Sequence, residues 1–192
     1  HLTQGIERAD SLAADAHKWL NVPYDSGFAF VRDGALLRQV FAVGAAYVAG
    51  GTGWDPCMHV PEMSRRIRGL AAWCALKAFG RAGYRAVVER CVDNAAAFAR
   101  WVEATPGLAL MNPAPLNIVC FRLIRDGLDE AATDRLNRDA VDAIQRDGRV
   151  FVTGTVWHGR AAIRAAFDNW QTTSADVALL QAAVRAVATT AG

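Results

Sequence analysis

Apolar and polar positions along the chain change their spacing several times, and each change marks an element. Residues 27–32 (GFAFVR), after the turn-rich NVPYDS stretch, read as a buried strand. Residues 34–43 are apolar and amphipathic. After them AVGAAYVAGGTGWDPCMHVPEMS places Gly44, Gly50, Gly51 and Gly53 ahead of Pro56 and Pro61. That is the pattern of a long loop, and loops of this length inside compact domains are usually functional or disordered. Helical spacing returns after Pro61, with Ile67, Leu70, Ala71, Cys74 and Phe79 roughly on one face up to Gly80. A second helix is predicted from about Tyr84 to Ala104 on Val88, Cys91, Ala95, Phe98 and Val102, stopped by Pro106 and Gly107.

Beyond it, 108–111 and 117–124 read as strands and 129–147 as a helix closed by Gly148. Strands are predicted at 150–157 and 160–169, joined by a tight His158-Gly159 turn. A last helix starts near Ser174, a natural N-cap, and carries Val177, Leu180, Val184 and Val187. The block after residue 84 is therefore a small α+β unit. The first 80 or so residues read as the tail of something larger, which divides the chain into 1–83 and 84–192 with no Pro/Gly-rich linker between.

Composition narrows the picture. Of 192 residues, 53% are hydrophobic and 21% charged, enough to bury a core and contrary to disorder. Lys plus Arg number 21 against 19 Asp plus Glu, a net charge of +2 that leaves no electrostatic footprint for nucleic acid or an anionic membrane. The uncharged stretch 39–54 is too short and too broken by glycine to cross a bilayer, so no membrane partner is expected. No signal peptide is visible around Glu7, Asp10 and Asp15, and the first residue is His rather than Met, which leads us to expect a missing upstream part. Cysteines at 57, 74, 91 and 120 form no C-x-x-C pair, and a reducing cytoplasm is the expected setting.

The chemistry concentrates in Ala9-Asp10-Ser11-Leu12-Ala13-Ala14-Asp15-Ala16-His17-Lys18-Trp19-Leu20-Asn21. A bare lysine is ordinarily a surface charge. This one stands between an imidazole and an indole, and the segment resembles the Schiff-base lysine motif of the group II pyridoxal-phosphate-dependent amino-acid decarboxylases. Ser11, Asp15, His17, Lys18 and Trp19 match, followed by Leu20-Asn21-Val22-Pro23-Tyr24-Asp25-Ser26-Gly27. The resemblance continues in order at Pro61-Glu62-Met63-Ser64-Arg65-Arg66 and at Gly154-Thr155-Val156-Trp157-His158-Gly159-Arg160. It implies an α/β fold, the fold-type-I (aspartate-aminotransferase-like) architecture, with the end of the large domain at 1–83 and the small α+β C-terminal domain at 84–192.

The resemblance also implies roles. Pyridoxal 5'-phosphate is the cofactor and Lys18 the amine that bonds to its aldehyde. His17 borders the cofactor site, and Ser11 and Asp15 lie on the segment that positions it. Many family members have Asn where this chain has Asp15, and a carboxylate there would repel the cofactor phosphate if it pointed that way. Tyr47 falls on the lid loop 44–61, where the family's tyrosine is linked to protonating the carbanion carbon; phenylalanine there accompanies aldehyde-forming chemistry. Without the resemblance, Tyr47 reads as a loop aromatic packed on the core. Arg164 resembles the arginine that meets a substrate carboxylate in glutamate-type members, against the plainer reading of a paired structural arginine. Arg65 and Arg66 are read as serving cofactor phosphate, a dimer interface or helix-start ion pairs.

Other chemistries have little support. Cys57 with His59 forms only a C-x-H fragment, His158 lies in a turn, and no metal site is expected. There is no G-x-S-x-G elbow, P-loop or G-x-G-x-x-G fingerprint. The expectation is decarboxylation of a small-molecule L-amino acid to the amine and carbon dioxide by a cytoplasmic homodimer. In the resembled family the ring carboxylate, the stacking histidine and most phosphate contacts lie upstream of the lysine, so the isolated chain is expected to be inactive. A noncatalytic homologue acting through association, and an aminotransferase or aldehyde-forming enzyme, are the alternatives.

Overall fold

The computed structural model describes residues 2–42 and 54–190. The chain divides into two compact units, His1–Gly80 and Arg81–Gly192.

In the first unit a 3-10 turn at Ile6–Arg8 leads into β1 (Ser11–Asp15), which pairs antiparallel with β2 (Gly27–Val31) from Ser11 opposite Val31 to Asp15 opposite Gly27. β1 carries no sequence signal beyond a short apolar run, which is why it escaped the pattern. β2 is a strand as predicted, but it is mostly exposed rather than buried: only Phe28 leans on the small core of Ala16, Val22 and Ala72. α1 (Gly34–Phe41) begins where Asp33 Oδ1 accepts the Ala35 amide hydrogen at 2.9 Å. A 3-10 turn at Pro56–Met58 is capped likewise by Asp55.

Helix α2 (Arg68–Ala104) contains a break at Gly80, whose φ of 60° and ψ of −175° lie in a region open essentially to glycine. Before the break, the face of Ile67, Leu70 and Cys74 is exposed, contrary to the amphipathic reading. The side that packs inward is the small one, Ala72 and Ala75. After the break Cys91, Ala95, Phe98 and Val102 are buried as the spacing predicts, while Val87 takes the buried place expected for Val88.

The second unit is a four-stranded antiparallel sheet in the order β3 (Leu108–Leu110), β4 (Ile118–Leu123), β6 (Arg160–Ala166), β5 (Thr153–Trp157). Positive φ at His158 and Gly159 makes the two-residue β5–β6 turn of the hairpin-favouring kind. α3 (Glu130–Asp147) runs from an Asp129 cap to a left-handed Gly148 and packs on β4, β5 and β6. α4 (Ser174–Thr190) lies beside α3. Its cap falls one residue before the predicted Ser174: Thr173 donates both its amide and hydroxyl hydrogens to Asp176 Oδ2 at 2.8 Å. The core centres on Phe98, edge-on to Phe121 with ring centroids 5.3 Å apart and enclosed by Ile163, Ile144 and Val184. None of the helices among the described residues is long and apolar enough to cross a membrane.

Candidate active site

The lysine segment is a turn that local chemistry builds. At the end of β1, Ala16 fills the small core with no exposed surface, and the amides of Ala16 and His17 both donate to the Ser26 carbonyl at 3.0 and 3.2 Å. The chain then reverses. Asn21 adopts a φ of 54°, a conformation asparagine tolerates better than most residues, and donates its side-chain amide to the Trp19 carbonyl at 2.8 Å. Val22 returns to donate to the Ala16 carbonyl at 3.3 Å. Lys18 stands at the crest of this reversal, its side chain 66% exposed.

Asp15 and Lys18 form an ion pair across three residues, Oδ2 to Nζ. The carboxyl of Asp15 is held below its ordinary range, first by the hydrogen bond from Lys18 and then by the lysine charge. His17 Nδ1 lies 2.7 Å from the Ser26 carbonyl oxygen and 3.2 Å from its amide nitrogen. Whichever tautomer is present, Nδ1 is committed to Ser26. The Tyr24 ring rests on the imidazole at a centroid distance of 4.3 Å. Trp19 Nε1 is buried with no hydrogen-bond partner among the described residues.

A charge network lies next to this turn. Asp25 accepts from Arg66 at 2.6 Å and from Arg68 Nε at 3.0 Å, and Arg68 also donates to Glu62 at 2.9 Å. Arg66 reaches the Tyr24 carbonyl as well, at 3.1 Å. The hydrogen bond from Arg68 leads the effects that hold the Asp25 carboxyl low. Arg65 is separate, donating to the Glu62 carbonyl at 2.6 Å. A cleft of about 410 Å³ opens against Pro23, Asp25, Arg66, Leu70 and Cys74.

The structure thus brings Asp15, His17 and Lys18 into one turn. Ser11 is on the same strand but at its far end, opposite Val31 and about 13 Å from Asp15 by strand rise. Arg164 lies in β6 of the second unit, half-buried, opposite Cys120 and Thr153. Burial pushes the Cys120 thiol up, and the charge of Arg164 partly offsets that. Tyr47 and much of the 44–61 loop lie outside the described residues. No group of His, Cys, Asp and Glu among the described residues could hold a metal. Sequence reasoning missed Asp25, Arg68 and Glu62; the closely spaced charges of Glu62-Met63-Ser64-Arg65-Arg66-Ile67-Arg68 were visible, but not their partner some forty positions earlier.

The donor set fits the aldehyde end of pyridoxal phosphate: a primary amine at the crest of a rigid turn, an imidazole beside it, and a carboxylate whose charge the lysine neutralises. These are the features that a lysine-centred pyridoxal-phosphate site calls for. Comparison agrees. Residues 1–124 match the pyridoxal-dependent decarboxylase conserved domain, and the chain belongs to that family. It is 33% identical to an aromatic-L-amino-acid decarboxylase of Bacillus atrophaeus over 97% of this chain and 40% of the relative. A tryptophan decarboxylase TDC1 of Camptotheca acuminata is 29% identical over 86% of this chain and 34% of the relative. The fold is similar to that of Catharanthus roseus tryptophan decarboxylase, solved with L-tryptophan, at a TM-score of 0.85 and 25% identity over 99% of this chain and 39% of that one. Oryza sativa TDC, solved with pyridoxal phosphate and tryptamine, shares the fold at a TM-score of 0.90 over 99% of this chain and 41% of that one, with 24% identity. The chain spans about two fifths or less of the length of these proteins.

Proposed function

We propose that this chain carries the lysine end of a decarboxylase site that converts an L-amino acid to its amine and carbon dioxide. The observation that carries the reading is the exposed Lys18 amine at the crest of its turn, paired with Asp15 and next to His17. When bound, pyridoxal phosphate supplies an aldehyde that captures amines and a ring that takes up the electron pair left when carbon dioxide departs. The residues of this chain do the rest. Lys18 would hold the aldehyde end through Nζ once the amine has given up its proton; until then Asp15 pairs with it as the ammonium. Asp15 keeps the amine oriented and has its own charge offset, so it does not confront a phosphate as a bare anion. Ser26 fixes His17 through Nδ1 and leaves Nε2 as the nitrogen that can face a ligand. Overall, the substrate carboxylate leaves as carbon dioxide and a proton takes its place on the same carbon.

An aromatic L-amino acid is the substrate to test first, supported by the names of the relatives. Tyr47, rather than phenylalanine, supports amine over aldehyde as product. Ser11 keeps its place on the positioning segment. Arg164 is carried in the same proposal as a candidate for a substrate carboxylate, supported by the planar fork of its guanidinium. A homodimer belongs to the same proposal, supported by exposed Ile67, Leu70 and Trp73, and a reducing, cytoplasmic setting by the four free cysteines.

The test is pyridoxal phosphate with borohydride, followed by peptide mapping. A stable pyridoxyl group on Lys18, lost in Lys18→Ala, supports the reading; labelling at Lys77, the one other lysine in the sequence, with none on Lys18, overturns it. We expect no carbon dioxide release from the 192-residue chain alone, and robust turnover would refute that part.

A further inference from the structure

Lys18 sits at a crest that little core supports: among the described residues the buried apolar cluster of this unit is Ala16, Val22 and Ala72. Something else must hold the turn in register. The loop 22–26 that closes it is gripped from outside by residues far along the chain. Arg66 spans the Tyr24 carbonyl at 3.1 Å and Asp25 Oδ1 at 2.6 Å, so one guanidinium holds two consecutive residues. Arg68 takes the other Asp25 oxygen at 3.0 Å and is itself anchored by Glu62 at 2.9 Å. Charges alternate along the line Arg66, Asp25, Arg68, Glu62. Each carboxylate or guanidinium in its middle has two partners, which fixes direction in a way a single exposed pair does not. From Tyr24 the constraint passes to the His17 ring at 4.3 Å, and His17 adjoins Lys18.

We infer that Asp25, clamped by Arg66 and Arg68, is a positioning residue for the His17–Lys18 turn, acting through the Tyr24 ring. The inference rests on the proposed cofactor site, although one arm of its test does not. All four charged groups are at least one-third exposed on their side chains, so their pairs contribute little to global stability. Their effect is on placement, and that separates a clamp from an ordinary structural contact.

The experiment compares wild type, Asp25→Ala, Asp25→Glu and Arg68→Lys in the full chain. Thermal unfolding serves as the folding control. The first readout is the NMR shift of the His17 ring protons, which the neighbouring Tyr24 ring displaces; it needs no cofactor. The second is the rate of borohydride-trapped pyridoxyl labelling at Lys18. We expect Asp25→Ala to move the His17 signals toward unstructured values and slow labelling about tenfold, the scale on which small misplacements of a reacting group act. Asp25→Glu should recover most of both, and Arg68→Lys, which loses the fork, should fall between. Unfolding should shift little. Unchanged His17 signals in a folded Asp25→Ala chain overturn the clamp. If wild type takes no label on Lys18, the cofactor reading fails while the His17 arm still decides the clamp. If Asp25→Ala unfolds, the ring signals of Arg68→Lys decide it by the same criterion.

Discussion

The Asp15 carboxylate closes on the Lys18 ammonium from three residues earlier, at the point where strand β1 ends and the chain turns back. This pairing directs the carboxylate at the amine. It also makes the strand end electrostatically self-contained.

A titration follows from that pair. The Asp15 carboxyl is held below the ordinary aspartate range, so its contribution is fully present above the ordinary value and is lost as pH falls through the lowered one. An NMR titration of the Asp15 side-chain carbon should show a midpoint below about 3.9 in the wild type. In Lys18→Met the hydrogen bond and the charge both disappear, and the midpoint should rise back toward the ordinary value. A midpoint that stays low in Lys18→Met would mean that the pair does not set it.

How much of this was legible beforehand depends on where each interaction's partner lies in the chain. α3 was readable from end to end because Asp129, Gly148 and the buried spacing of Ala140 and Ile144 are all local. The His158-Gly159 turn was readable because a two-residue turn with positive φ is written in two residues. Lys18 and His17 were found through a contiguous motif. Asp25 and Arg68 were not, since nothing local says that a loop aspartate will be claimed by an arginine 43 positions later. The face of Ile67 and Leu70 misled because spacing reports which residues share a side and not which side is covered.

Asn137 offers a test in the second unit, where it is 1% exposed. Its Oδ1 accepts from the Leu123 amide at 2.8 Å, and its Nδ2 donates to the carbonyls of Leu123 and Thr133, both at 2.9 Å. One side chain thus satisfies both backbone groups at the end of β4. Asn137→Leu keeps much of the volume and removes both bonds to Leu123, leaving a donor and an acceptor buried. The expected cost is about 2–6 kcal/mol, at roughly 1–3 for each of the two unsatisfied groups. Urea unfolding should show a lower midpoint with an unchanged slope, and an unshifted midpoint would show that water or a rearranged neighbour satisfies both groups.

Arg122 poses the opposite problem, a charge 3% exposed near the end of β4. Its guanidinium donates to Glu130 at 2.6 Å and to Asp134 at 2.7 Å, and Asp134 Oδ1 also accepts the Ala161 amide at 2.9 Å. Asp134 therefore joins α3 to β4 and β6 at once. Removing it leaves the buried arginine with the half-exposed Glu130 as its one carboxylate and strands the Ala161 amide, whereas removing the arginine takes the desolvated charge away and leaves Asp134 its bond to Ala161. Asp134→Ala should cost about 2 kcal/mol or more, and Arg122→Met distinctly less, because the first leaves a buried amide without its acceptor and a buried guanidinium with one carboxylate in place of two. Denaturant unfolding of the two variants and the double variant decides the point. Adding Arg122→Met to Asp134→Ala should recover part of the loss, since no half-paired buried guanidinium remains. Equal losses in the two single variants, with no recovery in the double, would place the energy in the hydrogen bonds themselves rather than in the cost of a buried charge left under-paired.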